Sequence, residues 1–489
     1  MSDENHVTSE EQKKEARKFM YRKEMTGRRM ILTSETEINS GNVAKVVEQA
    51  FITHLLNRDE IDYLWNYYKG KQPSLYRVRE LRDDLTKHIV ENRANEIVSF
   101  KVGFMVGKPV QYVSSNGQGV SKAIAKLNDS MRMIGKATKD KELVEWCMIA
   151  GLGYRYVVQN KERFIKVPFN LYTLDPRDTF VIRANDYSKR VLAGVNYVTD
   201  ENGQVTFTVY TDDFVYTLIK GKNRAEKRTR NAFGAIPIIE YPANNARLGS
   251  FEIVLSLLDA ISEFDCARNE AVEQFVQSLL VLYNCQVEEG TTADTIRQAG
   301  MILLKSMNGE KADVKNLSEQ LDQTQNQTLK SDMYNAVLQI VGMPSQGDGN
   351  TGDSSNNGAV ILKNGWQGAE TRAEAFEAMF KLPETEMLNV VSVLCAGLAD
   401  FTFSPSDIDI KFTRHSYDNL LSKSQTLTTM LASDKIHPKC AYEASGLFTD
   451  TEEAASLGLK WYDQVKKEQA EQMNNIREQS EKVKPDAEE

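Results

Sequence analysis

From about Asn42 to Gly107 one face of the chain returns at three- and four-residue steps: Val46, Ala50, His54 and Leu55, then Tyr63, Leu64, Tyr67 and Tyr68, then Leu85, Ile89, Ile97, Phe100 and Phe104. This period predicts helices, punctuated at Gly70 and Pro73. After Gly151 the period shortens. Tyr154–Val158, Phe164–Val167, Phe180–Ile182, Val195–Val198, Val205–Tyr210 and Phe214–Ile219 are rich in β-branched and aromatic residues, and several alternate apolar with polar. They predict an antiparallel sheet, with Asn202-Gly203 supplying the positive-φ pair of a tight hairpin.

A second helical regime begins at Ser250. No Gly or Pro interrupts residues 250–284, and Val254, Leu258, Ile261, Ala271, Phe275 and Leu279 form a helical stripe. Unbroken, this segment would make a rod of about 50 Å, far longer than the usual globular helix and in need of partners along its length. Cys285 to Leu321 is mixed, with Gly290, Gly300, Gly309 and the apolar run Met301–Leu304, and predicts a small subdomain inserted between helices. Gln323 to Val341 is helical, with Leu329, Met333, Val337, Ile340 and Val341 on one face. Residues 342–358 are rich in Gly, Asn and Asp and predict a loop. A long helix then runs from about Gln367 to Leu398, kinked or restarted at Pro383. Beyond it come a short strand, Ile408–Phe412, and amphipathic helices at Tyr417–Leu431, His437–Ser445 and Thr451–Ala470. The charged tail 471–489 is expected to be disordered. The fold class is α+β, mainly helical.

Length and charge narrow the possibilities. At roughly 150 residues per core, 489 residues suggest about three structural units. Sixty Lys+Arg against sixty-nine Asp+Glu give a net charge of −9, which argues against a protein that coats nucleic acid over its whole surface. The distribution is uneven. Between Glu11 and Met30, eight basic residues face three acidic ones, a local +5; residues 1–40 read as a flexible arm whose basic part either touches nucleic acid or an acidic surface or forms a solvated helix face. Along 250–284, Glu252, Asp259, Glu263, Asp265, Glu270 and Glu273 face Arg268 alone, a balance of −5. Five scattered cysteines form neither a disulfide framework nor a CxxC pair, and fit a reducing compartment. No signal-peptide core is present, and no stretch approaches about 18 apolar residues, so neither secretion by that route nor a membrane span is expected.

Candidate chemistry is sparse. Gly103-Phe-Met-Val-Gly107-Lys108-Pro109 lacks the spacing of a phosphate loop and puts Pro where Ser or Thr should bind Mg²⁺. There is no HExxH or GxSxG. His437-Pro-Lys-Cys440 has the spacing of half a zinc site without a second pair, so a helix-start His and a buried Cys are expected. Asp407 and Asp409 would share one face of a strand, compatible with acid/base or metal chemistry but also with the polar face of a half-buried strand. No catalytic residue, metal or cofactor is assigned.

Three strings carry a resemblance: Tyr67-Tyr-Lys-Gly-Lys-Gln-Pro73, the run from Asn92 to Tyr112 through Gly107-Lys108-Pro109, and Ile238-Ile-Glu-Tyr-Pro-Ala-Asn-Asn245 leading through Gly249-Ser-Phe-Glu252 into the long helix. With the order of elements over about residues 40–400, they resemble the phage portal proteins of the long-tailed siphophage type. The family pattern Ser-Gly-x-Ala-Leu-Lys after the flexible loop is matched loosely by Asn357-Gly358-Ala359-Val360-Ile361-Leu362-Lys363, one residue longer.

The resemblance implies a structural, non-enzymatic ring, usually of twelve subunits, around a channel for packaging and ejecting double-stranded DNA. It also implies a place at the capsid portal vertex of the virion, assembly in the host cytoplasm, and docking to the terminase motor, head-tail adaptor, major capsid and scaffold proteins, without a membrane. On this sequence the wing would be 41–249 with the kinked helix 360–400. The stem helices would be 250–284 and 323–343, the clip 285–322, the tunnel loop 344–359 and the crown 401–470. Gln346, Asp348, Asn350, Asp353, Asn356 and Asn357 would approach DNA from the tunnel loop. Glu252, Asp259, Glu263, Glu270 and Glu273 would either face the channel, where like charge keeps phosphates sliding, or pair with a neighbouring subunit. The rival classes are an adaptor or scaffold without a channel and a packaging nuclease or motor subunit.

Overall fold

The computed structural model describes residues 27–77, 86–115, 121–160, 167–276, 279–283, 285–286, 305–306, 313–317, 323–345, 365–396, 401–414, 420–433, 435–448 and 451–481. The chain divides into two compact units, one including Tyr63–Glu96 and Phe251–Val341, the other Thr26–Asp62, Ile97–Ser250 and Gly342–Glu489. Helices and antiparallel sheets occupy separate stretches, as an α+β fold requires.

The larger unit is built on a six-stranded sheet in the order β1-β5-β6-β7-β8-β9, comprising Leu32–Thr33, Thr179–Ala184, Val191–Thr199, Val205–Tyr210, Phe214–Ile219 and Lys227–Arg230. All its pairings are antiparallel except β1 with β5. Alternation along β7 buries Val205, Phe207 and Val209 on one face. Against it lies the first helix, α1 (Val43–Tyr68), through Val43, Val46, Val47, Ala50 and Phe51. Phe51 meets the edges of Tyr197 and Phe207 at ring-centroid distances of 5.1 and 5.0 Å, the geometry aromatic quadrupoles favour. His54 stacks on Phe180 and bonds the Arg177 carbonyl at 3.0 Å. Burial in this apolar layer is the main reason its imidazole is pushed down to about 4.

Two expectations change here. The flexible arm does not extend to residue 40: Ile31 is in the core, Arg28 is buried, Arg29 reaches Glu60 at 2.8 Å, and β1 adds to the sheet edge. A two-residue strand supplies too short an apolar pattern to register in the sequence. The hairpin at Asn202-Gly203 forms, but only Gly203 takes positive φ. Asp200 closes the loop instead, its carboxylate accepting the N–H groups of Asn202 and Gln204.

A second, three-stranded sheet runs β10-β3-β4 through Ile238–Pro242, Leu152–Gln159 and Phe169–Leu174. The expected strand Phe164–Val167 lies, except for Val167, outside the described residues. Helices α3 (Ser121–Met133) and α4 (Lys136–Ala150) precede this sheet, and α7 (Trp366–Cys395) packs on β10 and β3 with Pro383 inside it. Strand β2 (Gln111–Ser114) pairs with β15 (Ile408–Lys411). Helices α8 (Leu420–Leu431), α9 (Pro438–Ser445) and α10 (Thr451–Glu481) follow. His437 caps α9, its Nδ1 accepting the Lys439 N–H, whereas Cys440 is exposed rather than buried. The tail is helical through Glu481, because α10 continues the amphipathic helix begun at Thr451.

In the smaller unit the long helix is shorter than its composition suggests. A 3-10 turn at Glu252–Val254 leads into α5 (Leu255–Val276), and Leu279–Tyr283 is strand β11, not helix. Leu-Leu-Val-Leu-Tyr is a continuous apolar run, which periodicity alone assigns to either state. β11 pairs antiparallel with β14 (Asp313–Leu317), and β12 (Cys285–Gln286) with β13 (Lys305–Ser306). Helix α6 (Gln323–Val341) then returns along α5. Its buried side chains are Val337, Leu338 and Val341, while Leu329 and Ile340 are exposed.

Candidate channel helices, loop base and buried charge cluster

Helix α5 draws most of its acidic side chains into its own unit. Tyr67 donates its hydroxyl to Asp259 Oδ1 at 2.8 Å. Burial pushes Asp259 up to about 6; the Tyr67 hydrogen bond opposes that rise and nearby Glu263 adds to it. Lys330 on α6 places its ammonium 2.9 and 3.0 Å from the two Asp265 oxygens and 2.8 Å from Glu91 Oε2. One cation therefore clamps α5 to the segment before α2 (Arg93–Val106). Glu270 receives Arg77 and the Lys87 backbone N–H, both at 3.1 Å. Tyr334 donates to Glu96 at 2.7 Å beneath the Arg93 guanidinium.

Among the acidic channel candidates, Glu252 and Glu270 are buried at 7% and 3% exposure and Asp259 bonds within the chain. Glu263 is exposed, and the side chain of Glu273 lies outside the described residues. Partners within one chain are thus an outcome that neither the channel-facing nor the neighbouring-subunit expectation included.

The six loop candidates, Gln346, Asp348, Asn350, Asp353, Asn356 and Asn357, all lie outside the described residues. The base of their segment is described. Gly342 adopts φ +69°, and a Cβ there would stand 2.4 Å from Arg372 Cδ and Nε. Gly365, at φ +78°, would place a Cβ 3.8 Å from Pro344 Cα, so the segment leaves and re-enters the fold at one spot. Trp366 packs beside Phe100 and Phe104 there, both at 6.1 Å. Lys101 is pushed down to about 8, by burial first and then by the Arg372 charge.

Asp407 and Asp409 do not share a strand face. Asp407 closes a 3-10 turn, Pro405–Asp407, while Asp409 lies in β15 with Lys411 at 2.8 Å and Lys381 at 3.8 Å. Proline at residue 405 starts the turn that displaces Asp407 from the strand. Among the described residues no three His, Cys, Asp or Glu side chains converge as a metal site, and no helix is long and apolar enough to cross a membrane.

Among the described residues of the larger unit, a buried charge cluster joins side chains that share no sequence motif. Lys136 lies 2.6 Å from Asp140 and 2.8 Å from Glu384. Arg155 lies 2.5 Å from Asp140 and 3.3 Å from Glu384. The hydroxyls of Tyr112 and Tyr241 donate to the two Glu384 oxygens at 2.6 and 2.7 Å. Burial would raise Glu384; Lys136 and Arg155, helped by hydrogen bonds, overcome it and hold the carboxyl down to about 2. Two cations and two carboxylates balance, with Arg155 and Glu384 both at 0% exposure. The cluster therefore tethers α4, β3, β2 and β10 to α7. Its sequence traces are the i, i+4 pair Lys136/Asp140, an arginine inside the apolar run of β3, and a glutamate after Pro383.

The family model for "Phage portal protein, SPP1 Gp6-like" matches residues 51–484, and the chain belongs to that family. Membership makes it a phage portal protein, a structural component of the phage particle. Among solved structures, a chain from the neck of an empty GTA particle computed with C6 symmetry is similar at 12% identity and TM-score 0.41, covering 73% of this chain and 90% of that one. A chain from the neck of a native GTA particle computed with C12 symmetry is similar at 14% identity and TM-score 0.38, with the same coverage. No curated protein matches the chain.

Proposed function

We propose that the chain closes into a ring, twelve subunits in the particle, at one capsid vertex. Double-stranded DNA passes through its channel during packaging and ejection. The ring assembles in the host cytoplasm on capsid and scaffold proteins, and docks the terminase motor and then head-tail adaptors. The observation that carries this reading is the family match across residues 51–484.

The internal organisation supports it. Helices α5 and α6 are the stem within 250–284 and 323–343, strands β12, β13 and β14 belong to the clip 285–322, with β11 joining it from the end of the first stem range, and residues 344–359 are the tunnel loop. The larger unit supplies most of the wing, 41–249 with 360–400, and the crown 401–470, while residues 63–96 of the wing fall in the smaller unit. With Glu252 and Glu270 buried and Asp259 and Asp265 bonded internally, Glu263 is, among the described side chains, the acidic one of α5 left to repel passing phosphates. The test has two parts. Electron microscopy of the purified protein should show rings with a central hole. Deleting residues 347–357, including Asp348, Asn350, Asp353, Asn356 and Asn357, should leave those rings intact and lower DNA packaging. Undiminished packaging by such rings would overturn the loop's role, and a compact monomer or dimer would overturn the ring.

A further inference from the structure

The sheet of the larger unit ends in a strongly basic edge. From residue 220 to 230 the chain reads Lys-Gly-Lys-Asn-Arg-Ala-Glu-Lys-Arg-Thr-Arg, six cations against Glu226, a net of +5 in a protein whose total is −9. Lys220, Lys222, Arg224, Lys227, Arg228 and Arg230 are all exposed. β9 is the last strand of the sheet order, paired only to β8 among the described residues. Charge on an edge strand also discourages strand-to-strand aggregation, but this group continues around the turn beyond the ladder.

Register sets how these charges are displayed. Arg228 and Arg230 lie opposite Tyr216 and Phe214, and Lys227 and Thr229 opposite Thr217 and Val215, so cations project from both faces of the edge. Arg228 places its Cζ over the Phe214 ring, 3.6 Å from the centroid, a contact that leaves its charge in place. Lys222 pairs with Glu226 across the turn at 2.5 Å, an exposed contact of small worth. Cations on two faces and around a turn suit a polyanion with distributed charge. An acidic strand added to β9 would engage only its four ladder residues.

We propose that the β8–β9 edge is a contact surface for the phosphate backbone of duplex DNA, independent of sequence and separate from the helices and loop assigned to the channel. Its affinity comes from counterion release, so the logarithm of the binding constant falls with the logarithm of salt at about 0.9 per phosphate neutralised. A covalently closed circular plasmid cannot thread a closed ring, so its binding reports this surface even if the channel reading fails.

The experiment measures binding of the full-length protein to such a plasmid from 50 to 300 mM NaCl. The variant Arg224→Gln/Lys227→Gln/Arg230→Gln leaves the Arg228–Phe214 contact in place. It should bind at least 10-fold more weakly at 100 mM, with a salt slope reduced by about 2 to 3. Arg224→Lys/Arg230→Lys should retain the wild-type slope, and unchanged circular dichroism of both variants shows intact folding. An unchanged slope and affinity in the Gln variant overturns the proposal. So does loss of binding to polyglutamate with plasmid binding retained, which would identify an acidic protein segment as the partner.

Discussion

Replacing Glu384 by Gln removes one charge from the sealed cluster and leaves Lys136 and Arg155 facing Asp140 alone. The side chain keeps its size, but its single carbonyl oxygen can accept from only one of Tyr112 and Tyr241, which donate to different Glu384 oxygens, so one lost hydrogen bond adds to the lost charge. A carboxyl held from 4.5 to about 2 in the folded chain contributes about 3 kcal/mol at neutral pH. That matches the lower end of the cost of breaking a buried pair, about 3–5 kcal/mol. The sign follows from the lowered value: the contribution is complete above the unfolded carboxyl's range and is lost as pH falls from about 4.5 towards 2. At pH 3 less than half of that contribution should remain. Hydrogen exchange of the β3 amides reads this locally. Glu384→Gln should lower protection roughly 100-fold at pH 7 and roughly 10-fold at pH 3. Equal losses at the two pH values, or less than about 5-fold at pH 7, would refute the electrostatic account.

Asp259 lies above its ordinary value, so the stability linked to it is present below about pH 4 and lost as pH rises through 6; Asp259→Asn should raise the urea midpoint by the equivalent of about 1–2 kcal/mol at pH 7.5 and have little effect at pH 4. His54 is depressed to about 4, so stability linked to its neutral form is lost as pH falls from 6.5 through 4; His54→Phe should flatten that acid limb in thermal melts. Gly342→Ala meets both a positive φ and the Arg372 side chain. It should cost about 1–3 kcal/mol in urea titrations, and Arg372→Ala should relieve only the steric part.

The helical and sheet stretches were legible because single-face periodicity survives in the sequence. Gln323–Val341 and the run through Pro383 appear in the structure with nearly the expected limits. Ambiguity concentrated where that signal fails. Leu279–Tyr283 has no polar face to mark its period, and Lys227–Arg230 has no apolar face at all, yet both are strands. The acidic bias of α5 was visible, but its partners Tyr67, Arg77 and Lys330 are remote in sequence and are brought together only by folding. Likewise the Lys136, Asp140, Arg155 and Glu384 cluster joins residues separated by up to 248 positions, beyond any local motif.

The meeting of Pro344 with Gly365 makes the length of the intervening segment a free variable. For a chain segment closed at fixed ends, doubling the number of residues costs only about 0.6 kcal/mol. Insertions there need not shift the rotational phase of α7, whose first turns are held by Gly342 beside Arg372 and by Trp366 beside Phe100 and Phe104. The reach of the segment can therefore change independently of the frame that carries it, and the same opening is a natural port for a spectroscopic label or short peptide tag.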